Sequence, residues 1–383
     1  MAGKNNNTRD GMVGGMARAF ATAAGITLAA SSAMAGGVER STQSVAILFE
    51  PGTHAEFSLG AVAPDVSGTA FGQSSGDMIG DYATWSLGYK QALSDNLDVA
   101  LILDQPIGAE IDYPASGTYS LRGTAAELDS AALTGLLRYR LPSSGASSMS
   151  VYGGVRLQSV SGTVDIFTNF PLPGPVVYGL RTDTDYRAGY VVGLAWERPD
   201  IAARVAVTYN SAITHTLSMA ETSNVAGSLT SDQDVEIPQS LNVEFQSGIA
   251  KNTLLFGSVR WVDWTAFRIA PPVYGAIFAA RPDLVSYQHD RVTYNLGVGR
   301  KFSDAWSGAV TIGYEPSNGD ITGNLGPTDG FTSVGVGATY TRGNMKVTGG
   351  VRYIDIGGAN TTIGANFRDN SGVAAGVKVA FSF

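Results

Sequence analysis

The sequence predicts an all-β protein, a transmembrane antiparallel β-barrel of about fourteen strands with a short N-terminal plug segment. Three observations support this. A secretory leader opens the chain, long alternating segments recur between tight turns, and one face of those segments is apolar with no second layer to cover it.

The leader comes first. Lys4, Arg9 and Arg18 precede an uncharged Ala-rich run, AFATAAGITLAASSAMA, which ends in Ala33-Met34-Ala35. A basic start, an apolar stretch and a small-x-small cleavage site define a secretory signal peptide over residues 1–35. The mature chain is then expected to begin near Gly36. Removing Lys4, Arg9, Arg18 and Asp10 leaves 22 basic and 32 acidic residues, about −10 in net charge, which argues against nucleic acid as a partner. The chain has no cysteine, so export to an oxidising compartment brings it no disulfide. Only 15% of residues are charged while 44% are hydrophobic, below the roughly 25% charge of soluble domains, as suits strands that face lipid.

Six turn signals organise the rest: Ser94-Asp95-Asn96, Ser143-Ser144-Gly145, Arg198-Pro199-Asp200, Lys251-Asn252, Ser303-Asp304 and Arg342-Gly343-Asn344. Each lies between strand-like segments, and longer stretches rich in polar residues, Pro and Gly join one hairpin to the next. Strands are expected at 54–68, 79–93, 97–110, 127–141, 149–162, 183–197, 201–215, 236–250, 253–267, 288–302, 305–316, 331–341, 345–356 and 372–383. An even number places both ends of the barrel domain, 54–383, on one side of a membrane.

Alternation assigns the faces, because successive side chains of a strand point in opposite directions. Val373, Ala375, Val377, Val379, Phe381 and Phe383 share one face of the last strand, and Gly376, Lys378 and Ser382 the other. Trp306, Val310, Ile312 and Tyr314 oppose Ser307, Thr311 and Glu315 in the same way. A soluble sandwich would also alternate, but its strands would end after about five or six residues. Tyr139, Trp196, Tyr209, Trp261, Tyr294, Trp306, Tyr314, Tyr340 and Tyr353 stand toward strand ends on the apolar parity, as aromatic girdles do.

Catalysis finds little footing. The three histidines, His54, His215 and His289, accompany no serine in a nucleophile context, and the pairs Asp183/Asp185 and Asp232/Asp234 fall in outer loops as solvated charge. The GVG triplets at 297–299 and 335–337 are strand glycines. No catalytic residue, metal site or cofactor is therefore expected.

Several stretches resemble the FadL/TodX family of outer-membrane transporters for long-chain fatty acids and other hydrophobic compounds. They are IPQSLNVEFQSGIAKNTLLFGSVRWVDWTAF from Ile237, DRVTYNLGVGRKFSDAWSGAVTIGYEPS from Asp290, GNMKVTGGVRYIDIG running on to DNSGVAAGVKVAFSF, FSLGAVAPDVSG from Phe57, and DQPIGAEIDY from Asp104. The resemblance implies a fourteen-stranded barrel in the outer membrane of a Gram-negative bacterium, in contact with its lipid and lipopolysaccharide. It implies passive uptake of a long-chain fatty acid or similar lipophile by loop capture, lumenal binding and lateral release through the wall. The terminal Phe383 resembles the signal read by the barrel-assembly machinery.

One departure concerns the gate. The family carries a hatch of about forty residues before the first strand, whereas this chain has only GGVERSTQSVAILFEPGT over 36–53. Either Ser41 to Gly52, with Phe49 in its apolar stretch, forms a shortened plug, or the lumen is less obstructed. A non-specific diffusion porin, or a structural outer-membrane barrel, is the alternative reading.

Candidate ligand contacts fall into three groups. Two loops are apolar beyond what a porin for polar solutes would expose, and place Phe167, Phe170, Leu172, Val176, Val177, Tyr178, Val273, Tyr274, Ile277 and Phe278 on the expected outer side. They either capture a ligand or bury one another as a cap. Among the cations on the lumenal parity, Arg156 and Arg260 are the candidates for holding a carboxylate, since the guanidinium fork makes two parallel hydrogen bonds to one. Finally, Pro106, which lacks an N–H, is expected with Gly108 to break the third strand and kink the wall.

Overall fold

The computed structural model describes residues 38–143, 145–169 and 174–383, so the leader lies outside the described residues. Fourteen strands form the wall: β1 (His54–Asp65), β2 (Tyr82–Ala92), β3 (Leu97–Asp104), β4 (Ala125–Arg140), β5 (Ser148–Thr168), β6 (Asp185–Arg198), β7 (Ala203–Asn210), β8 (Ser240–Ala250), β9 (Thr253–Val262), β10 (Arg291–Lys301), β11 (Trp306–Glu315), β12 (Thr328–Arg342), β13 (Met345–Gly358) and β14 (Asn370–Ser382). Each pairs antiparallel with its chain neighbours. The ring is closed by β1 against β14, in continuous register from His54 opposite Ser382 to Asp65 opposite Ser371. Closure leaves no free edge, the condition for a sheet in lipid.

The outward parity is apolar over the middle of the strands and turns polar toward the long-loop rim, where Asp65, Glu127 and Asp129 are exposed. Val155 and Leu157 on β5 are each 55% exposed and Tyr353 on β13 is 56% exposed, so no protein layer covers this belt. Tyr139, Tyr294, Trp306 and Tyr314 are exposed on the same face, and Trp306 packs beside Tyr340 with ring centroids 5.0 Å apart. The inward parity is polar, with Lys90, Asp98, Arg138, Thr208 and Asn242 all buried.

Three departures from simple alternation shape the interior and the rim. β3 stops at Asp104 rather than continuing to residue 110, because Pro106 supplies no N–H to the ladder. β7 stops at Asn210 and β8 starts at Ser240; between them the chain folds into a second hairpin, Ile213–Ser223 against Gly227–Ile237, which stands above the rim and carries His215. β9 ends at Val262, and Trp264 turns inward in a single 3-10 turn, 3% exposed.

The candidate lumenal passage

The N-terminal segment, Val38 to Gly52, runs through the barrel from the long-loop side to the short-turn mouth. Its upper part pairs with the broken end of β3: Gly108 N donates to Val38 O at 2.8 Å, and Arg40 N donates to Pro106 O at 2.9 Å. Below that, its side chains meet the wall one by one. Arg260 Nε donates to Glu39 Oε1 at 2.6 Å, Arg156 donates to Gln43 Oε1 at 2.7 Å, Ser41 Oγ donates to Asp104 at 2.5 Å and Ser44 Oγ to Glu244 at 2.5 Å. A 3-10 turn over Ala46–Phe49 buries Ile47 and Leu48 against Ala100, Leu136 and Tyr152. Phe49 lies between the guanidinium groups of Arg138 and Arg204, each 4.4 Å from its ring centroid, a cation–π pairing on both faces. Lys90 Nζ donates to Gly52 O at 2.9 Å and completes the anchorage.

The two arginines expected to hold a carboxylate are thus engaged by protein: Arg156 by Gln43 and Thr134, Arg260 by Glu39, Ser240 and Asn242. The other lumenal cations are mostly paired as well. Lys90 and Arg140 share Asp98, Arg138 binds Glu197, Lys346 approaches Glu50 at 3.8 Å and Lys378 approaches Glu56 at 3.5 Å.

The wall is incomplete beside β3. β2 pairs with β3 only from Leu87 opposite Leu103 to Ala92 opposite Asp98; above Leu87, β2 is paired on its β1 side alone. Gln105 stands where the ladder partner would be, its Oε1 accepting from Trp85 N at 3.2 Å. Gly108 permits this arrangement, since a Cβ there would come within 2.9 Å of Arg40 Nε and 3.1 Å of Leu128 O. A cavity of about 210 Å³ reaches the break: it is lined from inside by Ser58, Thr84 and Asp104, and also by Trp85 and Leu87 of the outward parity.

A second, apolar cavity of about 100 Å³ lies under the long loops. Val38, Leu128, Val164, Leu217, Met219, Phe267, Ile269, Leu284 and Tyr287 line it. Trp264, Phe267 and Tyr287 form an aromatic cluster with centroids 5.2–6.0 Å apart at its wall. Of the loop residues singled out in the sequence, Val176, Tyr178, Val273 and Ile277 are buried in the roof above this cavity; Tyr274 and Phe278 are partly buried against them. Phe167 is half-buried at the end of β5 and Val177 is 49% exposed. Phe170 and Leu172 lie outside the described residues.

Glu221, from the upper hairpin, ties the two loops together. Its buried carboxylate accepts from Tyr178 OH at 2.8 Å and from Val273 N and Tyr274 N at 3.2 and 3.0 Å, and the rings of Tyr178 and Tyr274 meet edge to face at 5.5 Å. Burial pushes the Tyr274 phenol up to about 12 and raises that of Tyr287 further, so both stay neutral over the cavity. The roof is therefore packed, and the cavity-lining residues below it were not separable from other apolar loop residues by composition. Ile269 and Leu284 do bound the second apolar loop.

The architecture is therefore a closed fourteen-stranded barrel with a chain segment in its lumen, a break beside its third strand and an apolar cavity under its loops. Among solved structures, the chain has the fold of a Pseudomonas aeruginosa FadL homologue, with TM-score 0.75 at 13% identity over 93% of this chain and 98% of that one. It also superposes on the Pseudomonas putida toluene transporter TodX, at TM-score 0.63 and 13% identity over 92% and 98% of the two chains. The Ralstonia pickettii toluene transporter TbuX matches at TM-score 0.58 and 14% identity, over 87% and 90%. No protein-family model matches the sequence, and no curated protein does.

Proposed function

We propose that this chain is an outer-membrane channel for the passive uptake of hydrophobic compounds, long-chain fatty acids or similar lipophiles among them. The observation that carries the reading is the combination in one wall of a lumen occupied by residues 38–52 and a break between β2 and β3 that a cavity reaches from inside. A polar solute gains nothing from such a side opening, whereas an apolar one passes from it directly into lipid. The barrel fold shared with a FadL homologue and with two toluene transporters supports the same substrate class. The leader over 1–35 is cleaved on export, and Phe383 is the terminal residue that the barrel-assembly machinery reads.

In this mechanism the outer loops take up the ligand, the apolar cavity beneath them holds it, and displacement of the N-terminal segment at its contacts with β3 connects that cavity to the break. Residues 36–53 act as a shortened hatch, and Phe49, Pro106 and Gly108 belong to the gate. The larger cavity beside the segment, with charged and hydroxyl groups in its lining, is the one feature that favours a diffusion porin instead. Binding and uptake of radiolabelled oleate and toluene by outer membranes with and without the protein, together with planar-bilayer conductance, separate the two. Saturable uptake with little conductance is expected; large steady conductance without binding would establish the porin.

A further inference from the structure

The larger cavity, beside the N-terminal segment, is lined by one cation that has no partner among the described residues. Its other charged side chains have partners: Arg40 stacks on Tyr82 at 3.3 Å, Lys378 and Glu56 pair at 3.5 Å, and Asp104 and Glu244 accept from Ser41 and Ser44. Arg352 on β13 lines the same cavity, yet its Nε is shut away from solvent and has no hydrogen-bond partner among the described residues. The side chain is half-buried, and its Nε is the part cut off from water without an acceptor, an unfavourable state that a ligand oxygen would relieve.

The register shows what surrounds it. Gly335 on β12 stands directly opposite both Arg352 and Thr311 of β11, so the three form one row across three strands. Thr311 Oγ1 and, one lumenal position along β12, Ser333 Oγ are also buried without partners among the described residues. The absent side chain at Gly335 keeps this row open: a Cβ there would come within 2.7 Å of Thr311 Oγ1 and 3.5 Å of Arg352 Nε. The result is a guanidinium and the Thr311 hydroxyl flanking a space maintained by a glycine, with Phe256 and Phe331 as apolar neighbours in the cavity. That is the chemistry of an anion held at the end of an apolar body.

We infer that Arg352, with Thr311, is the site at which the lumen holds the carboxylate head group of an amphiphilic ligand. The site rests on the transport reading above and deepens it, because it makes the channel prefer carboxylates to neutral hydrocarbons of equal length.

The test is equilibrium binding of laurate and of dodecanol to the full-length protein in a nonionic detergent, for wild type, Arg352→Gln, Arg352→Lys and Gly335→Ala. Native barrel is verified for each by its heat-modifiable migration on gels. The expected result is at least a tenfold loss of laurate affinity in Arg352→Gln with dodecanol unchanged, partial retention in Arg352→Lys, and a loss in Gly335→Ala although the charge remains. Equal laurate affinity in wild type and Arg352→Gln overturns the site. Displacement of laurate from wild type by millimolar phosphate also overturns it, assigning the row to inorganic anions. Failure of wild type to bind either laurate or dodecanol counts instead against the transport reading itself.

Discussion

Arg156, Arg260 and Arg352 share a residue type, a parity and a wall, and differ in what the N-terminal segment offers them. Glu39 and Gln43 engage the first two, and none of the described residues engages the third. Sequence could establish that all three face the lumen, because alternation does so, but the choice of partner depends on contacts 113 and 221 residues apart in the chain. Pro106 was legible for the opposite reason, since its missing N–H acts locally. Replacing Arg260 by Ala should leave Glu39 buried without its cation, a cost of about 3 kcal/mol in docking of the segment. The expected outcome is a marked rise in open-channel conductance, and conductance equal to wild type would mean that the segment is held elsewhere.

At the level of elements, the strands were readable because all but β3 and β7 repeat a period of two over ten or more residues. The upper hairpin was not, since Ile213–Ser223 continues the β7 pattern after a two-residue interruption and so looks like more wall. The N-terminal segment admits a clean mechanical test because the chain has no cysteine. Cysteines placed at Ser44 and Glu244, whose side chains meet at 2.5 Å, can be bridged by a short bifunctional thiol reagent. If that reagent carries a reducible link, bridging should abolish uptake and reduction should restore it. Uptake unaffected by the bridge would exclude movement of this part of the segment.

The same hairpin carries a pH dependence. His215 is buried, with Asp185 at 3.0 Å and Arg187 near it, and burial holds its imidazole below the ordinary 6.5. The unfolded hairpin therefore binds more protons, so its stability is fully present above about 6.5 and falls as the pH drops below that value. Amide exchange in 213–237 should accelerate on acidification from pH 8 to pH 5 in wild type and much less in His215→Gln. Equal acceleration in both would place the dependence on another group.

For the molecule as a whole, the fold class, the strand number and the apolar belt were all legible, because long strands with one uncovered apolar face suit few folds besides a barrel in lipid. The passage was not, since it arises where three separate regions meet: the N-terminal segment, the broken strand and the loops. The belt sets a further expectation. Leu157 is 55% exposed on the outer face, and Leu157→Lys should destabilise the barrel in lipid by about 2–4 kcal/mol if it lies near the bilayer midplane. Urea titration in vesicles measures this, and a neutral substitution would mean that this face of β5 meets protein or water.

The seam between β1 and β14 joins the first strand of the wall to the last, and residues 38–52 lie inside the ring that it closes. The order of events during biogenesis is thereby constrained. A finished cylinder offers the segment no sideways entry, so it is either laid down on the inner surface of a sheet that is still open or threaded end-on through the short-turn mouth beside Gly52. In the first case the final strand zips shut around an interior that has already been furnished.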